Sequence, residues 1–413
     1  MPKSILKARA QAKASAAVAA GQSRVSRLRG SIDMPFLMLT IVLVAIGLVM
    51  LLSASYPSAY YDLKGNTDGD PFYYFTRQGA IALAGIAVML VVSLLNYQGL
   101  KGLAMPILVL AFLLMLAVQV PGLGVESGGA TRWLRYPVRW QPSELGKIAL
   151  IIFFAARLSN RDRRRPLRFR RNTAPGRFGN FLERIGFFEL IPYVIVLAAM
   201  IGLLYLQPHM SASIQMVVIA AAILFAGGIS LGWFVGGGVL VGGALAVLIF
   251  GMGYSSDRIT TWLNPWDDAL GLGMQTVQSL LAVGSGGLTG LGLGNGRQKF
   301  LYLPEAQNDF IFAIVCEELG LIGACLILAL FALLIIRGYW LALHARDKFG
   351  SLVIVGITTL FAFQVFANVA VVTNLFPVTG ISMPFFSYGG TALLIQMAEM
   401  GLILGISRQT KVT

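Results

Sequence analysis

Residues 257–318 read DRITTWLNPWDDALGLGMQTVQSLLAVGSGGLTGLGLGNGRQKFLYLPEAQNDFIFAIVCEE. This stretch holds seven of the chain's 18 carboxylates, and long apolar runs flank it on both sides. Charged residues at this density are excluded from the hydrocarbon core of a membrane, whereas the flanking runs are long enough to cross it. The stretch therefore predicts a large polar loop that connects two groups of spanning helices.

The composition of the whole chain is that of a polytopic membrane protein. The 413 residues are 57% hydrophobic and 12% charged, with a mean hydropathy of +0.76, whereas soluble domains carry about 25% charged residues. The net charge of +14 is compatible with nucleic-acid binding, but the basic residues cluster between apolar runs. Because such clustering is typical of membrane orientation, we predict no nucleic-acid partner.

Ten apolar runs are long enough to span a bilayer. They lie at 34–55, 77–96, 102–121, 143–158, 188–206, 209–228, 231–253, 308–336, 350–372 and 386–407. The sequence thus predicts an all-α membrane domain of ten transmembrane helices over residues 34–408. Residues 1–33 form a basic, Ala-rich tail that we expect to be disordered, and residues 409–413 form a short tail.

The distribution of Lys and Arg predicts the orientation of these helices. With ten spans, about 23 of the 32 basic residues fall on one side, which the positive-inside rule assigns to the cytoplasm. Both termini and the Arg-rich loop 159–187 are then cytoplasmic, and the large loop 254–307 faces outward. The Arg-rich loop is either a nucleic-acid or lipid-binding arm or an anchor near anionic head groups, and the orientation pattern favours the anchor.

Arginines also occur on the predicted outer side, where the positive-inside rule disfavours them. Arg132, Arg135 and Arg139 lie beside aromatic residues, including Trp133. The guanidinium group offers a fixed fork of donors to phosphate, so one interpretation is an anionic head-group site. The other interpretation is interfacial anchoring with a local pair to Glu126 or Glu144, and the residues alone favour neither.

The sequence N-P-W-D-D at 264–268 predicts a turn that carries two adjacent carboxylates, Asp267 and Asp268. Poor solvation beside the membrane would favour one of them as a general base. The alternative is a solvated acidic turn that precedes a helix, and the residues alone slightly favour this alternative.

The rest of the polar stretch has both structural and functional interpretations. The glycine-rich run 284–296 lacks the strand-and-helix context of a phosphate loop, so we expect it to allow close backbone packing at membrane depth. Acidic residues near the eighth span, including Glu305 and Asp309, are either functional or interfacial. His209, in a break between two spans, is expected to be a hydrogen-bonded structural group.

Four long segments resemble the SEDS family of bacterial cell-wall synthesis, which includes FtsW, RodA and SpoVE. In chain order these segments are GGATRWL with QPSELGK, WLNPWDDALGLGMQTVQS, GLGLGNGRQKFLYLPEAQNDFIFAIVCEELG and NLFPVTGISMPFFSYGG. Together they cover most of residues 34–408, which makes the resemblance far more specific than any single motif. QPHMSAS, NDFIFAI and FFSYGGTAL are more similar to the division and sporulation branch than to the elongation branch.

The resemblance implies a peptidoglycan glycosyltransferase that polymerises lipid II at the outer face of the cytoplasmic membrane. It also implies a class B penicillin-binding protein and other divisome proteins as partners, membrane lipids as the surroundings and the division septum as the location. The family's essential Asp corresponds to Asp268, the proposed general base. Ala269 stands where the family usually has Pro, and His209 stands where it often has an acid, so no catalytic role is carried onto His209.

The resemblance also implies a set of substrate-binding residues. Arg132, Arg258, Arg297 and Lys299 are the candidates for the pyrophosphates of donor and acceptor. Their expected neighbours are Trp133 and Ser387, with Glu144 and Lys147 orienting the site. Glu305 and Asp309 are expected to bind sugar or a divalent cation, Mg²⁺ or Mn²⁺, although no motif demands a metal.

Two other functions are compatible with the sequence. A lipid II flippase would use intramembrane acids and broken helices, but it predicts essential polar groups in both leaflets, and the polar residues concentrate on the outer side. A scaffold that only docks a transpeptidase leaves the density of acids and arginines unexplained. The sequence therefore favours an enzyme.

Overall fold

Helices make up most of the part of the chain that the structure describes, and its two strands form one short hairpin. The computed structural model describes residues 30–62, 65, 67–127, 130–135, 139–161, 180, 183, 186–246 and 256–409. The predicted tail up to residue 29, most of the Arg-rich loop and residues 410–413 lie outside the described residues. The elements are α1 (Met34–Tyr60), α2 (Tyr73–Leu94), α3 (Gln98–Ala117), β1 (Gly124–Ser127), β2 (Ala130–Leu134), α4 (Pro142–Leu158), α5 (Phe187–Leu206), α6 (Met210–Ala226), α7 (Leu231–Ala246), α8 (Ser256–Leu263), α9 (Met274–Gly286), α10 (Ile311–Leu343), α11 (Lys348–Val372) and α12 (Gly390–Ser407).

Each of the ten predicted runs overlaps one of these helices, and residues 247–253 of the seventh run lie outside the described residues. The count of ten membrane spans stays a prediction. Seven of the described helices, α1, α2, α3, α5, α10, α11 and α12, are long and apolar enough to cross a membrane, and α6 is a shorter apolar helix. The predicted ends are less accurate. Helix α10 continues to Leu343, beyond the predicted end at residue 336, because Arg337 pairs with Asp33 at 2.6 Å and lies over the Trp340 ring.

Helices α4 and α11 form the centre of the bundle. Most of α4 is buried, and α11 contacts α4, α6 and α10, while α12 packs against α2. Gly356 allows the close approach, since a Cβ at this position would lie 2.8 Å from side-chain atoms of Ile151 and Ile223. Outer helices such as α3 expose leucines, as expected for helices that contact lipid.

The glycine-rich run packs directly against the backbone of α10, which confirms the expected close packing. The amides of Leu291 and Gly292 donate to the carbonyls of Glu317 and Glu318, both at 3.0 Å. In the opposite direction, the backbone amides of residues 321 and 322 donate to the carbonyl oxygens of residues 287 and 288. The helix is interrupted at Gly320, whose φ of 65° is unfavourable for other residues, so this backbone pairing replaces part of the helical ladder.

Replacing Gly286 with alanine should destabilise the fold by about 1–3 kcal/mol, the usual cost of overpacking a tight contact. A Cβ at Gly286 would lie 2.0 Å from the carbonyl oxygen of Cys316, so α9 and α10 would have to separate. Gly284 is the matched control on the same helix, because its Cβ would meet nothing within 4 Å. Thermal unfolding in detergent measures both variants, and equal stabilities would contradict the prediction.

Candidate active site

The β1–β2 hairpin places Arg132 and Trp133 beside the break between α5 and α6. Gly124 makes the hairpin possible, because a Cβ there would lie 2.2 Å from the Val118 carbonyl oxygen. The Arg132 guanidinium donates to the carbonyl oxygens of Gln207, at 3.3 Å, and Pro208, at 2.5 Å. These bonds, rather than a pair to an acid of the same loop, hold Arg132 in place.

Arg132 and Arg258 are close enough to act on each other electrostatically. Burial lowers the pKa of Arg132, the nearby charge of Arg258 lowers it further, and Asp309 opposes the shift. Arg258, on α8, donates to the Val378 carbonyl oxygen at 3.2 Å. Within the described part of the chain no carboxylate forms an ion pair with either group. Two guanidinium groups that repel each other form an attractive site for an anion.

Asp309 lies just before α10, close to this arginine pair. Gly380, with a φ of 72°, leaves room for it, since a Cβ there would be 3.2 Å from an Asp309 carboxylate oxygen. Burial raises the pKa of Asp309 to about 6, and Glu305 adds to the increase while Arg132 opposes it. The carboxyl group is therefore partly protonated near neutral pH, which suits a group that exchanges protons or binds a sugar hydroxyl.

Replacing Asp309 with asparagine should make the protein more stable near pH 7 by about 2 kcal/mol. Because the folded pKa is raised, the wild type binds this proton more tightly than the unfolded chain does. The stability that the carboxyl group contributes is present below about pH 4 and is lost as the pH rises towards 6. The melting temperatures of the wild type and the variant between pH 4 and 8 measure this loss of stability. A difference in melting temperature that stays constant across that range would contradict the prediction.

His209 caps the start of α6 and is held by Gln141. The Gln141 amide nitrogen lies 3.2 Å from Nε2 of the imidazole. Burial, with the charges of Arg132 and Lys147, lowers the pKa of His209 to about 3. His209 is therefore a neutral, hydrogen-bonded group at physiological pH, as expected for a structural histidine.

Glu144 and Lys147 form an ion pair in the first turns of α4. The Lys147 ammonium lies 2.8 Å from the Glu144 carboxylate and donates to Gln215 Oε1, also at 2.8 Å. Gln364, on α11, joins these polar side chains, because its amide nitrogen donates to the same Gln215 oxygen at 3.4 Å. The sequence reasoning did not include the two glutamines, although a polar residue inside an apolar span is the signal that would have found them.

Lys299 and Arg297, the cations that follow the glycine-rich run, have an environment different from that of Arg132 and Arg258. Lys299 is 4% exposed, and its ammonium group is bonded to Glu318, Ser53 and the Gly294 carbonyl oxygen at 2.7–2.9 Å. All three of its donors are used, so Lys299 fastens this segment to α1 and α10. Arg297 has an exposed side chain, and its backbone amide donates to Glu317 at 2.7 Å. The charges acting on Arg132 are Arg258 and Asp309, and these two cations are not among them.

Asp268 lies on a tight turn between α8 and α9. Its carboxylate accepts the Leu272 amide at 2.8 Å. The carboxylate also lies close to Gly271, since a Cβ there would be 2.3 Å from an Asp268 carboxylate oxygen and would displace this side chain. Both Asp267 and Asp268 are exposed, which agrees with the solvated acidic turn, the alternative that the residues alone slightly favoured. Gly273 keeps the turn tight, because a Cβ there would lie 2.1 Å from the Pro265 carbonyl oxygen.

A cavity of about 180 Å³ lies between α8 and α9, and Arg258 is the member of the arginine pair that lines it. Arg258 and Val378 line one part of it, and Leu272, whose amide binds Asp268, lines another. The structure thus brings Arg132, Arg258, Glu305 and Asp309 into one region, with Asp268 at the edge of the adjoining cavity. Arg297 and Lys299 belong to a separate segment.

Three further predicted residues surround this region. Trp133 lies under the Arg139 guanidinium, 5.2 Å from its ring centre. Glu305 accepts the side-chain amide of Asn308. Ser387 is 8% exposed and uses its hydroxyl group to donate to the Asn308 carbonyl oxygen at 2.7 Å and to accept the Met383 amide at 2.8 Å. Ser387 therefore positions the 383–388 turn in this structure.

No group of three or more His, Cys, Asp or Glu side chains within the described residues has the geometry of a metal site. Glu305 and Asp309 act on each other electrostatically and supply two carboxylates. Mg²⁺ is commonly held by one or two carboxylates together with substrate phosphates, so this pair is compatible with a cation that arrives with its substrate.

Fold and site together define a multi-pass membrane protein with a polar site built from loops at one end of its helical bundle. The sequence model of the FtsW/RodA/SpoVE family of cell cycle proteins matches residues 34–412. The chain belongs to this family.

Named relatives agree with this assignment. A probable peptidoglycan glycosyltransferase FtsW of Geobacter metallireducens is 39% identical over 384 residues, which cover 92% of this chain and 96% of the relative. Stage V sporulation protein E of Bacillus subtilis is 39% identical over 380 residues, which cover 92% of this chain and 98% of the relative. Both branches that the sequence motifs indicated are therefore represented.

Solved structures share the fold. A chain from a structure described as the structural coordination of polymerization and crosslinking by a peptidoglycan synthase complex has a TM-score of 0.72 and 26% identity. The rod shape determining protein RodA of Thermus thermophilus has a TM-score of 0.63, also with 26% identity. Each comparison covers 93% of this chain and 99% of the other chain.

Proposed function

We propose that this protein is a peptidoglycan glycosyltransferase that polymerises lipid II into glycan strands during cell division. The names of its relatives support the activity. The observation that carries the site assignment is the cavity between α8 and α9, which has Arg258 on its wall and the Asp268 turn at its edge. Transfer from a pyrophosphate to a sugar hydroxyl needs a cation for the leaving group and a base for the hydroxyl proton.

The proposed chemistry is a single displacement at the anomeric carbon of the donor. Asp268 takes the proton of the acceptor sugar hydroxyl while the hydroxyl oxygen forms the new glycosidic bond. The bond from the anomeric carbon to the pyrophosphate oxygen breaks, and undecaprenyl pyrophosphate leaves with the electron pair. Arg132 and Arg258 stabilise the charge that develops on this leaving group, and Glu305 and Asp309 bind sugar or a divalent cation.

The proposed topology places this chemistry outside the cytoplasm. Ten spans, with both termini and the Arg-rich loop inside, put the hairpin and the 254–307 loop at the outer face. The proposed location is the bacterial cytoplasmic membrane at the division septum. A class B penicillin-binding protein that crosslinks the new strands is the proposed partner, together with other divisome proteins.

The flippase alternative predicts buried charges along the whole path through the bundle. The buried charged side chains of the described chain are Lys147, Lys299, Glu317, Glu318 and Glu399. In the proposed orientation all of them lie in the outer half or near the middle, judged by their positions along α4, α10 and α12. This distribution favours an enzyme that works at the outer face.

Polymerisation of labelled lipid II by the purified full-length protein tests the proposal. The protein is assayed alone and with its cognate class B penicillin-binding protein, and products are separated as glycan ladders. Ladders in either condition support the glycosyltransferase. If lipid II binds but no ladder forms under any partner condition, transport or scaffolding becomes the better explanation.

A further inference from the structure

A second polar cavity, of about 380 Å³, lies between the ends of α3, α4 and α5. It contains three cations, Lys101, Arg157 and Arg161, and one acid, Glu189. Arg157 is 13 residues beyond Glu144 on α4, which places it about 20 Å along the helix from the outer site. The cavity is therefore separate from the proposed active site and lies at the opposite, cytoplasmic end of the bundle.

One of the three cations is paired with the acid of the cavity. Arg161 pairs with Glu189 at 2.7 Å and donates to the carbonyl oxygens of residues 227 and 228. Arg157 lies 5.9 Å from the Tyr193 ring centre, which leaves its N–H donors available. Among the described residues, neither Arg157 nor Lys101 takes part in an ion pair. The cavity thus carries two positive charges that its own acid does not compensate.

Much of the remaining lining is apolar. Met105 and Phe153 line the cavity below the cations. The side of α3 around the cavity exposes large hydrophobic side chains, with Leu103 at 53% and Met105 at 57% exposure. A soluble anion would meet this apolar wall unfavourably, whereas a molecule with a charged head and an acyl chain would bury it.

We propose that this cavity binds an anionic glycerophospholipid of the inner leaflet. The phosphate lies between Lys101 and Arg157, and an acyl chain runs along Met105 and Phe153. Basic pockets between transmembrane helices on the cytoplasmic side are suited to such head groups. The inner-leaflet assignment rests on the orientation proposed above, whereas the binding itself is independent of the glycosyltransferase activity.

Native mass spectrometry of the full-length protein in neutral detergent tests this proposal. The protein is titrated with phosphatidylglycerol and, separately, with phosphatidylcholine of the same acyl chains. We expect tighter binding of phosphatidylglycerol, and about tenfold weaker binding in a Lys101→Gln, Arg157→Gln variant. The matched control is Arg346→Gln, Lys348→Gln, which removes the same charge from exposed residues outside the cavity and should leave the affinity unchanged.

A second variant tests the cavity without changing its charge. Gly102 lines the cavity, and its Cβ would meet nothing within 4 Å, so a leucine there would occupy the space that the lipid needs. Gly99→Leu is the control, since Gly99 is equally open on the same helix but does not line the cavity. The proposal is supported if phosphatidylglycerol binds more weakly to Gly102→Leu and not to Gly99→Leu. If the charge variant does not fold, the comparison of these two glycine variants decides the outcome.

Three results would overturn the proposal. The first is equal affinity for the two lipids in the wild type. The second is an equal loss of phosphatidylglycerol binding in the cavity variant and its charge control, which would indicate attraction to the general surface charge. The third is unchanged binding in both the charge variant and Gly102→Leu.

Discussion

Replacing Asp268 with asparagine should lower the rate of lipid II polymerisation by roughly 100- to 10,000-fold, the usual contribution of a positioned general base. The amide of asparagine cannot accept the proton of the sugar hydroxyl. Its carbonyl oxygen can still accept the Leu272 amide, which Asp268 now accepts at 2.8 Å. The turn should therefore keep its shape, so that the variant tests the base rather than the fold. Glycan ladders from the purified protein with its partner measure the rate.

Asp267→Asn is the matched control for this experiment. Asp267 is the adjacent carboxylate and is also exposed. Its replacement by asparagine removes the same charge from the same turn. We expect polymerisation to fall by less than about tenfold, because the loss would affect only the local electrostatic potential. Near-normal ladders from a folded Asp268→Asn protein would discard Asp268 as the base and keep the glycosyltransferase activity.

The helices of this protein could be predicted well from sequence because lipid imposes one simple requirement. Each span needs a long apolar run with all backbone groups bonded internally, and each predicted run overlaps a helix of the described chain. The ends were harder to predict, because they depend on partners distant in sequence. Arg337 stays within α10 only because Asp33, 304 residues away, accepts its two hydrogen bonds.

The sequence predicted which types of residue the candidate site contains more accurately than it predicted which of them lie together. Arg132, Arg258 and Asp309 do lie together, as the density of polar groups in the outer loops suggested. Lys299 was grouped with them because it is a cation of the same loop. Its partners are Ser53 and Glu318, and no local pattern could indicate the contact with Ser53, since it forms only when α1 packs against α10.

The exposed position of Asp268 has a physical consequence for how the site works. A carboxylate in water is a weaker base towards a sugar hydroxyl than one in a water-excluded site. The cavity beside it, of about 180 Å³, is also small for a disaccharide lipid. Binding of lipid II, or of the partner, would therefore have to cover the turn and exclude water before Asp268 becomes an effective base.

Replacing Lys299 with methionine should destabilise the protein by about 3–5 kcal/mol, the cost of leaving one member of a buried ion pair alone. Lys299 and Glu318 have side chains that are 3% and 0% exposed, and their charged atoms are 2.7 Å apart. Without the ammonium group, the Glu318 carboxylate would keep only Ser53 and a weak amide contact as partners. The loop between α9 and α10 should then detach from α1, which thermal unfolding in detergent would register.

Two further variants separate this explanation from a general effect of losing a lysine. The double variant Lys299→Met, Glu318→Gln removes both charges, and it should recover much of the lost stability because no unpaired charge remains buried. Arg337→Met breaks the pair with Asp33, whose side chains are 31% and 11% exposed, and it should lose at most about 1 kcal/mol. If the single and double variants at the buried pair were equally unstable, packing of the Lys299 side chain, rather than its charge, would be what holds the loop.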